Sequence, residues 1–116
     1  MEEAWQITLD RPFRDIQGCD FVTDTRLVCA SNDATGTLFP ELRPLLQADL
    51  PHALDGGPVT GRVKNLSGLP QRSVCTDGSF EAEGVDHDAN SGALRAEVIP
   101  PGVCAVATAV YAYRQA

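Results

Sequence analysis

Apolar residues in this chain come in short runs rich in Val, Leu, Thr and aromatics, bounded by Gly, Asp, Asn and Pro. This pattern is typical of many short β-strands. Helical periodicity is nearly absent, because the one candidate, TLFPELRPLLQADL, is interrupted by Pro40 and Pro44 and has room for one short helical turn at most. We therefore predict an all-β protein with eight strands. In chain order they are AWQITL, GCDFV, RLVCAS, LLQADL, VTGRVKNL, FEAEGVDH, ALRAEVI and AVATAVYAY.

A weak internal repeat groups these strands into two units. QGCDFVTDTRLVCAS aligns with EGVDHDANSGALRAEV, so that Gly18 matches Gly84 and Asp20 matches Asp86. Each unit is then a strand, a tight hairpin, a second strand, a loop and a third strand. We predict one domain over 1–116, with units at about 16–66 and 80–116 and with 4–9 as an added outer strand that completes the second unit.

Charge and hydropathy limit the kinds of partner that we expect for this domain. The formal net charge of -7 argues against nucleic acid and anionic membrane surfaces, because nucleic-acid binders need a basic face. No apolar run approaches the length of a spanning helix, and MEEAWQITLD lacks the basic start and apolar core of a signal peptide. We expect no membrane insertion, with any export signal absent or removed.

Four cysteines, Cys19, Cys29, Cys75 and Cys104, stand in no CxxC pair. A structural zinc site would therefore lack its usual ligand spacing. We predict two disulfides, which places the mature protein in an extracellular or periplasmic compartment. Three connectivities are open at this point.

The segment GVDHDANSGALRAEV matches the acidic framework of an EF-hand calcium loop but not its glycine. Oxygen-bearing side chains stand at loop positions one, three, five and twelve: Asp86, Asp88, Asn90 and Glu97. Ser91 occupies the sixth position, where the calcium loop needs glycine, and Gly92 comes one residue later. We predict a hairpin turn closed by Gly92 and no cofactor, with calcium at this turn as the alternative.

The two hairpins resemble the inner hairpins of β-propeller blades in the broad esterase-like and lactonase-like group. In such blades a "(E/Q)G-hydrophobic-D" strand turns through "D-x-x-(S/T)-G-x-L" into the next strand, as in QGCD followed by RLV and in EGVD followed by SGALRAEV. The resemblance implies two four-stranded antiparallel blades; a small closed β-sandwich is the alternative. Two blades cannot close the usual ring, which implies a homo-oligomer or missing sibling blades.

The hairpins suggest how the cysteines pair. A three-residue turn at Thr23–Thr25 sets position 22 opposite 26, so that Cys19 faces Cys29 across the strands. In a propeller the loops that hold Cys75 and Cys104 lie on the same rim, within reach of a disulfide. The resemblance therefore implies a Cys75–Cys104 bridge beside Cys19–Cys29.

Candidate catalytic residues are few. In lactonase-like propellers a Glu in the "EG" position can coordinate a channel metal, which implies such a role for Glu83; the first copy has Gln17 there. His87 is a second candidate, as ligand or base, although a surface position is the simpler interpretation. Common hydrolase and phosphate-binding signatures are missing from the sequence.

Three functional hypotheses remain open. The first is a non-catalytic extracellular scaffold or binding module, and the second is part of an esterase-like or lactonase-like propeller hydrolase. The third is an oligomeric lectin of two blades, in which aromatic side chains stack on sugars. Its candidate platform is Trp5, Tyr111 and Tyr113, residues that also suit packing between sheets.

Overall fold

The computed structural model describes residues 6–11, 14–33, 43–71, 75 and 80–114. Within these ranges it contains eight β-strands and one 3-10 helix, η1, and the all-β prediction is confirmed. The elements are β1 (Ile7–Leu9), β2 (Ile16–Thr23), β3 (Arg26–Ser31), β4 (Pro44–Asp49), β5 (Val59–Gly68), β6 (Glu81–His87), β7 (Leu94–Ile99), η1 (Gly102–Ala107) and β8 (Ala109–Tyr113). No described helix is long and apolar enough to cross a membrane.

The strands form sheets of five and three rather than four and four. The larger sheet has the order β1-β5-β4-β3-β2 and the smaller one β6-β7-β8. The prediction that the N-terminal strand completes the second unit is wrong, because β1 pairs in parallel with β5. Asp10 anchors it there: its backbone N–H donates to Gly61 O at 2.9 Å, and its Oδ1 accepts from the N–H of Val63 at 2.8 Å.

The predicted strand AVATAVYAY begins later than expected. Its first residues belong to η1, and only Ala109–Tyr113 is a strand. Pro101 precedes η1 with extended backbone, and Gly102 adopts a φ of 61°, a conformation that favours glycine. The predicted helical turn in TLFPELRPLLQADL falls largely on 34–42, outside the described residues, and Pro44 is the first residue of β4.

The first hairpin confirms the register at the cysteines and corrects its turn. Cys19 pairs with Cys29, as predicted, but Thr23 rather than Val22 pairs with Arg26, because the register shifts between Phe21 and Thr23. A two-residue turn at Asp24 and Thr25, followed by a one-residue bulge, gives the same pairing at the cysteines as the predicted three-residue turn.

Both disulfides are present, Cys19–Cys29 between β2 and β3 and Cys75–Cys104 between residue 75 and η1. They agree with the predicted pairing, and the described residues contain no free cysteine. The second bridge joins positions separated by 29 residues and the first by 10. The longer loop loses more entropy on closure, so the second bridge restricts the unfolded chain more strongly.

The two sheets pack face to face around one hydrophobic core. Alternate residues of β7 point into it, while Arg95 between them is exposed. Both the blade pair and the closed sandwich have such an interface, so a shared core fits either prediction. The buried core residues are Val28, Ala30, Leu45, Leu69, Ala82, Leu94, Ala96 and Val98.

Gly18 allows β2 and β6 to approach closely. A Cβ at Gly18 would lie 3.1 Å from Gly84 Cα, 3.2 Å from Val85 N and 3.3 Å from Glu83 O, all backbone atoms of β6. A Cβ at Gly84 would meet nothing within 4 Å. The two glycines matched by the predicted repeat therefore meet in space, but only the first has its Cβ position occupied by the other strand.

Side chains of β2 and of the loop after β3 bind the backbone edge of β6. The N–H of His87 donates to Asp20 Oδ2 at 2.7 Å, and the N–H of Ala82 donates to Asn32 Oδ1 at 3.0 Å. Because β6 is an edge strand, these donors have no neighbouring strand to pair with. The side chains thus join the two sheets through hydrogen bonds as well as through the core.

Buried Arg43 reinforces this junction. Its Nε donates to Phe80 O and to Asn32 Oδ1, the latter at 3.2 Å, and Nη1 donates to Gln71 Oε1 at 3.1 Å. Burial lowers the pKa of Arg43, while the charge of Glu81 opposes the shift. Its φ of 51° lies in the left-handed region, which is unfavourable for a bulky side chain, and the surrounding contacts offset that strain.

Substitution of the two glycines tests the close approach. Gly18→Ala should lower the free energy of unfolding by about 1–3 kcal/mol, the range for overpacking, because the new methyl group meets backbone atoms. Gly84→Ala is the matched control and should be neutral or stabilising by up to about 1 kcal/mol. Urea unfolding measures both; equal losses in the two variants would contradict the close approach.

Candidate functional site

A bulge in β6 determines which of its side chains face the larger sheet. Ala82 pairs with Val98 and Val85 with Ala96, so Glu83 and Gly84 together stand opposite one residue of β7. The extra residue reverses the alternation, and Val85 and His87 follow Ala82 on the inner face. Asp86 therefore points outward, where it forms an ion pair with Arg95.

The inner faces enclose a cleft of about 440 Å³ next to His87. Its floor is apolar and includes side chains from both sheets, among them Val28 and Leu94. Polar groups also line it, and they include buried Gln47. The lining residues are Val22, Arg26, Val28, Leu45, Gln47, Leu66, Ser67, His87, Gly92, Leu94, Tyr113 and Arg114.

A hydrogen-bonded cluster forms one wall of this cleft. Gln47 Nε2 donates to Asp49 Oδ1 at 2.9 Å and Oδ2 at 3.0 Å, and Arg26 Nε donates to Asp49 Oδ1 at 3.1 Å. Partial burial pushes the pKa of Asp49 up, but these hydrogen bonds and the charges of Arg26 and Lys64 outweigh it, and the pKa is lowered. Asp49 thereby holds the amide of Gln47 and the guanidinium of Arg26 in place.

His87 was predicted as a surface residue, but the structure shows it half-buried and lining the cleft. Glu83 is half-buried at the bulge and does not line the cleft. The two catalytic candidates thus belong to different surroundings on one strand. The proposed roles of Glu83 as a metal ligand and of His87 as a ligand or base stay predictions.

The segment DHDANSG forms the predicted turn. Asp88 Oδ1 accepts from the N–H of Asn90 at 3.0 Å and Oδ2 from Ser91 Oγ at 2.8 Å, while Gly92 has a φ of 74°. The hydrogen bonds from Ser91 and Asn90 lower the pKa of Asp88. Both carboxylate oxygens therefore serve the turn, and the described residues hold no cluster of three potential metal ligands.

The predicted aromatic platform is divided. Tyr111 and Tyr113 pack against the core, and Tyr113 also lines the cleft. Trp5 lies outside the described residues. Of the two described aromatic residues, the structure brings Tyr113 to the cleft, beside Gly92 of the predicted turn.

Sequence reasoning missed the polar residues of the cleft, Arg26, Gln47 and Arg114. One signal was available: Gln47 interrupts the apolar run of the predicted strand LLQADL, and a polar residue buried in a sheet usually has a specific hydrogen-bond partner. Arg26 and Arg114 stand at strand ends, where a sequence gives no reason to distinguish them from solvated side chains.

No family model, curated protein or solved structure matches this chain. The resemblance to esterase-like and lactonase-like propeller blades stays a prediction.

The Asp49 cluster makes stability depend on pH. A lowered pKa means that the carboxylate stabilises the fold above the unfolded-state pKa of about 3.9, and that this contribution disappears as pH falls through the folded-state pKa. We expect Asp49→Asn to lower the free energy of unfolding near neutral pH. The loss should be at most about 1 kcal/mol, because the Asp49 side chain is partly exposed to solvent.

Urea unfolding of the wild type and Asp49→Asn across an acid pH series measures this effect. The difference between them should shrink as the pH falls. Glu97→Gln on β7 makes the same change in charge away from the cleft and controls for it. A difference that stays constant with pH would contradict the role of the carboxylate.

Proposed function

We propose that this chain is a non-catalytic extracellular binding module whose ligand site is the cleft between the two sheets. The observation that carries the proposal is the cleft itself, which combines an apolar floor with a few positioned polar groups. Sites for small molecules commonly have this composition, and their volumes run from roughly 300 to 1,000 Å³. At about 440 Å³ the cleft lies within that range.

The framework around the cleft supports binding without large rearrangement. The floor comes from strands of both sheets, and Asp20 and Asn32 tie those sheets together through backbone donors of β6. A site on packed strands loses little freedom when a ligand enters, so more of the contact energy contributes to affinity. The two disulfides fit an oxidising, extracellular setting.

Binding is favoured over catalysis by the composition of the cleft. General acid–base or nucleophilic chemistry needs a base oriented by a third group within hydrogen-bond reach. His87 is the one titratable base among the described lining residues, and no carboxylate lines the cleft beside it. The hydrolase hypothesis has no comparable support from the described residues.

The proposed homo-oligomer has separate support. Val103, Val106 and Val110 are 85%, 96% and 63% exposed, and all three lie in η1 or β8. Exposed apolar groups on neighbouring elements are typical of surfaces that another chain covers. None of these valines lines the cleft, so an interface on them would not cover the proposed ligand site.

Titration with N-phenyl-naphthylamine, a neutral apolar dye whose fluorescence rises in apolar surroundings, tests the proposed site. We expect saturable binding at one site per chain. Ser67→Trp should abolish it, because Ser67 lines the cleft and the larger side chain fills it. Thr60→Trp, which adds the same side chain at an exposed position of β5 outside the cleft, should bind like the wild type.

Thermal melting should first show that both variants are folded. The proposed site is wrong if the wild type shows no saturable binding, or if the two tryptophan variants bind the dye equally well.

A further inference from the structure

The cleft differs in charge from the rest of the molecule. The chain has a formal net charge of -7, yet the Arg and His side chains that line the cleft, Arg26, His87 and Arg114, are joined there by no Asp or Glu among the described lining residues. In an acidic protein, a concave site lined by cationic groups is a local region that favours anions.

The two arginines differ in what they already bind. Arg26 donates to Asp49, which also accepts from Gln47, so that its charge is balanced within the wall. Arg114 follows β8, is exposed, and forms no ion pair with any residue that the structure describes. Asp20, whose carboxylate accepts from the N–H of His87, does not line the cleft. Among the described lining residues, Arg114 is therefore the arginine whose charge no ion pair balances.

We infer that the ligand of the cleft is a small apolar molecule with one carboxylate group, bound through that group by Arg114. This inference rests on the proposed function. A guanidinium group presents two parallel N–H donors that match the two oxygens of a carboxylate. Tyr113 and Leu94 line the same cleft and contribute apolar surface for the rest of the molecule.

The volume of the cleft limits the size of this ligand. At about 30 Å³ for each water-sized group, about 440 Å³ holds roughly 15 non-hydrogen atoms. A fused aromatic or short aliphatic acid fills this space, whereas a long-chain lipid or a polysaccharide would extend beyond it. The ligand class is therefore a compact monocarboxylic acid.

Competition between naphthoate and naphthamide tests the inference. The two probes have nearly the same shape and differ in charge, and each is titrated against bound N-phenyl-naphthylamine at low and high salt. We expect naphthoate to bind at least about tenfold more tightly at low salt, with a smaller advantage at high salt because exposed charges are screened.

Two charge-matched variants identify the arginine responsible. Arg114→Gln should remove the preference for naphthoate, because it weakens naphthoate binding much more than naphthamide binding. Arg95→Gln removes the same charge from the outer face of the smaller sheet, where Arg95 pairs with Asp86, and should retain the preference. Dye binding by each variant shows that the cleft is intact.

The possible failures are distinguishable. If the dye binds and is displaced equally by naphthoate and naphthamide, the inference is wrong while the proposed binding site stands. If the preference survives in Arg114→Gln, the assignment to Arg114 is wrong. If neither the dye nor naphthoate binds the folded wild type, the proposed function fails and the inference falls with it.

Discussion

The hydrogen bonds from the edge of β6 to Asp20 and Asn32 are the constraint on which the rest of the structure depends. An edge strand packed against another sheet has backbone donors that neither water nor a neighbouring strand can satisfy, and each such buried donor costs about 1–3 kcal/mol. Here two of these donors bind side chains of β2 and of the loop that follows β3. Gly18 permits the required approach, because a side chain there would meet the backbone of β6.

The cleft follows from the same constraint. Successive contacts hold β6 at Ala82, Gly84 and His87. The bulge within this stretch turns His87 inward, and the cleft lies where its side chain meets the floor supplied by both sheets. A strand without the bulge would present Asp86 to the core instead, and a carboxylate there would be costly to bury. The extra residue of the bulge thus directs Asp86 to the outer ion pair and His87 to the cleft.

Much of the local structure could be predicted from the sequence, because it depends on neighbouring residues. Runs such as RLVCAS and ALRAEVI have the composition of strands, Cys19 and Cys29 follow from one hairpin, and Gly92 suits the turn formed by DANSG. Long-range choices were not predictable in the same way. β1 pairs with β5, and Asp10 supports this pairing with a hydrogen bond to β5. The spacing of residues in AWQITL does not show whether this strand joins the edge of the larger sheet or the edge of the smaller one.

The candidate site depends on long-range pairing and packing of strands, so sequence patterns did not predict most of its residues. Asp20 and Asp86 hold the same place in the predicted repeat, but Asp20 binds β6 and Asp86 pairs with Arg95 on the outer face. Both β2 and β6 have a register irregularity just before these aspartates, so the spacing of the repeat alone does not show which face each one occupies. Arg114 comes to the cleft because it follows β8, whose Tyr113 packs against the core shared by the two sheets. Sequence patterns indicate which residues form strands, whereas the site arises from how those strands meet.

Hydrogen exchange at the amides of Ala82 and His87 tests most directly whether the two sheets form one unit through β6. If their N–H groups are held by Asn32 and Asp20, they should exchange only through global unfolding, with the same free energy as the amide of buried Leu46 in β4. Fast exchange at Ala82 and His87, with Leu46 still protected, would show that the smaller sheet opens independently and would contradict this account.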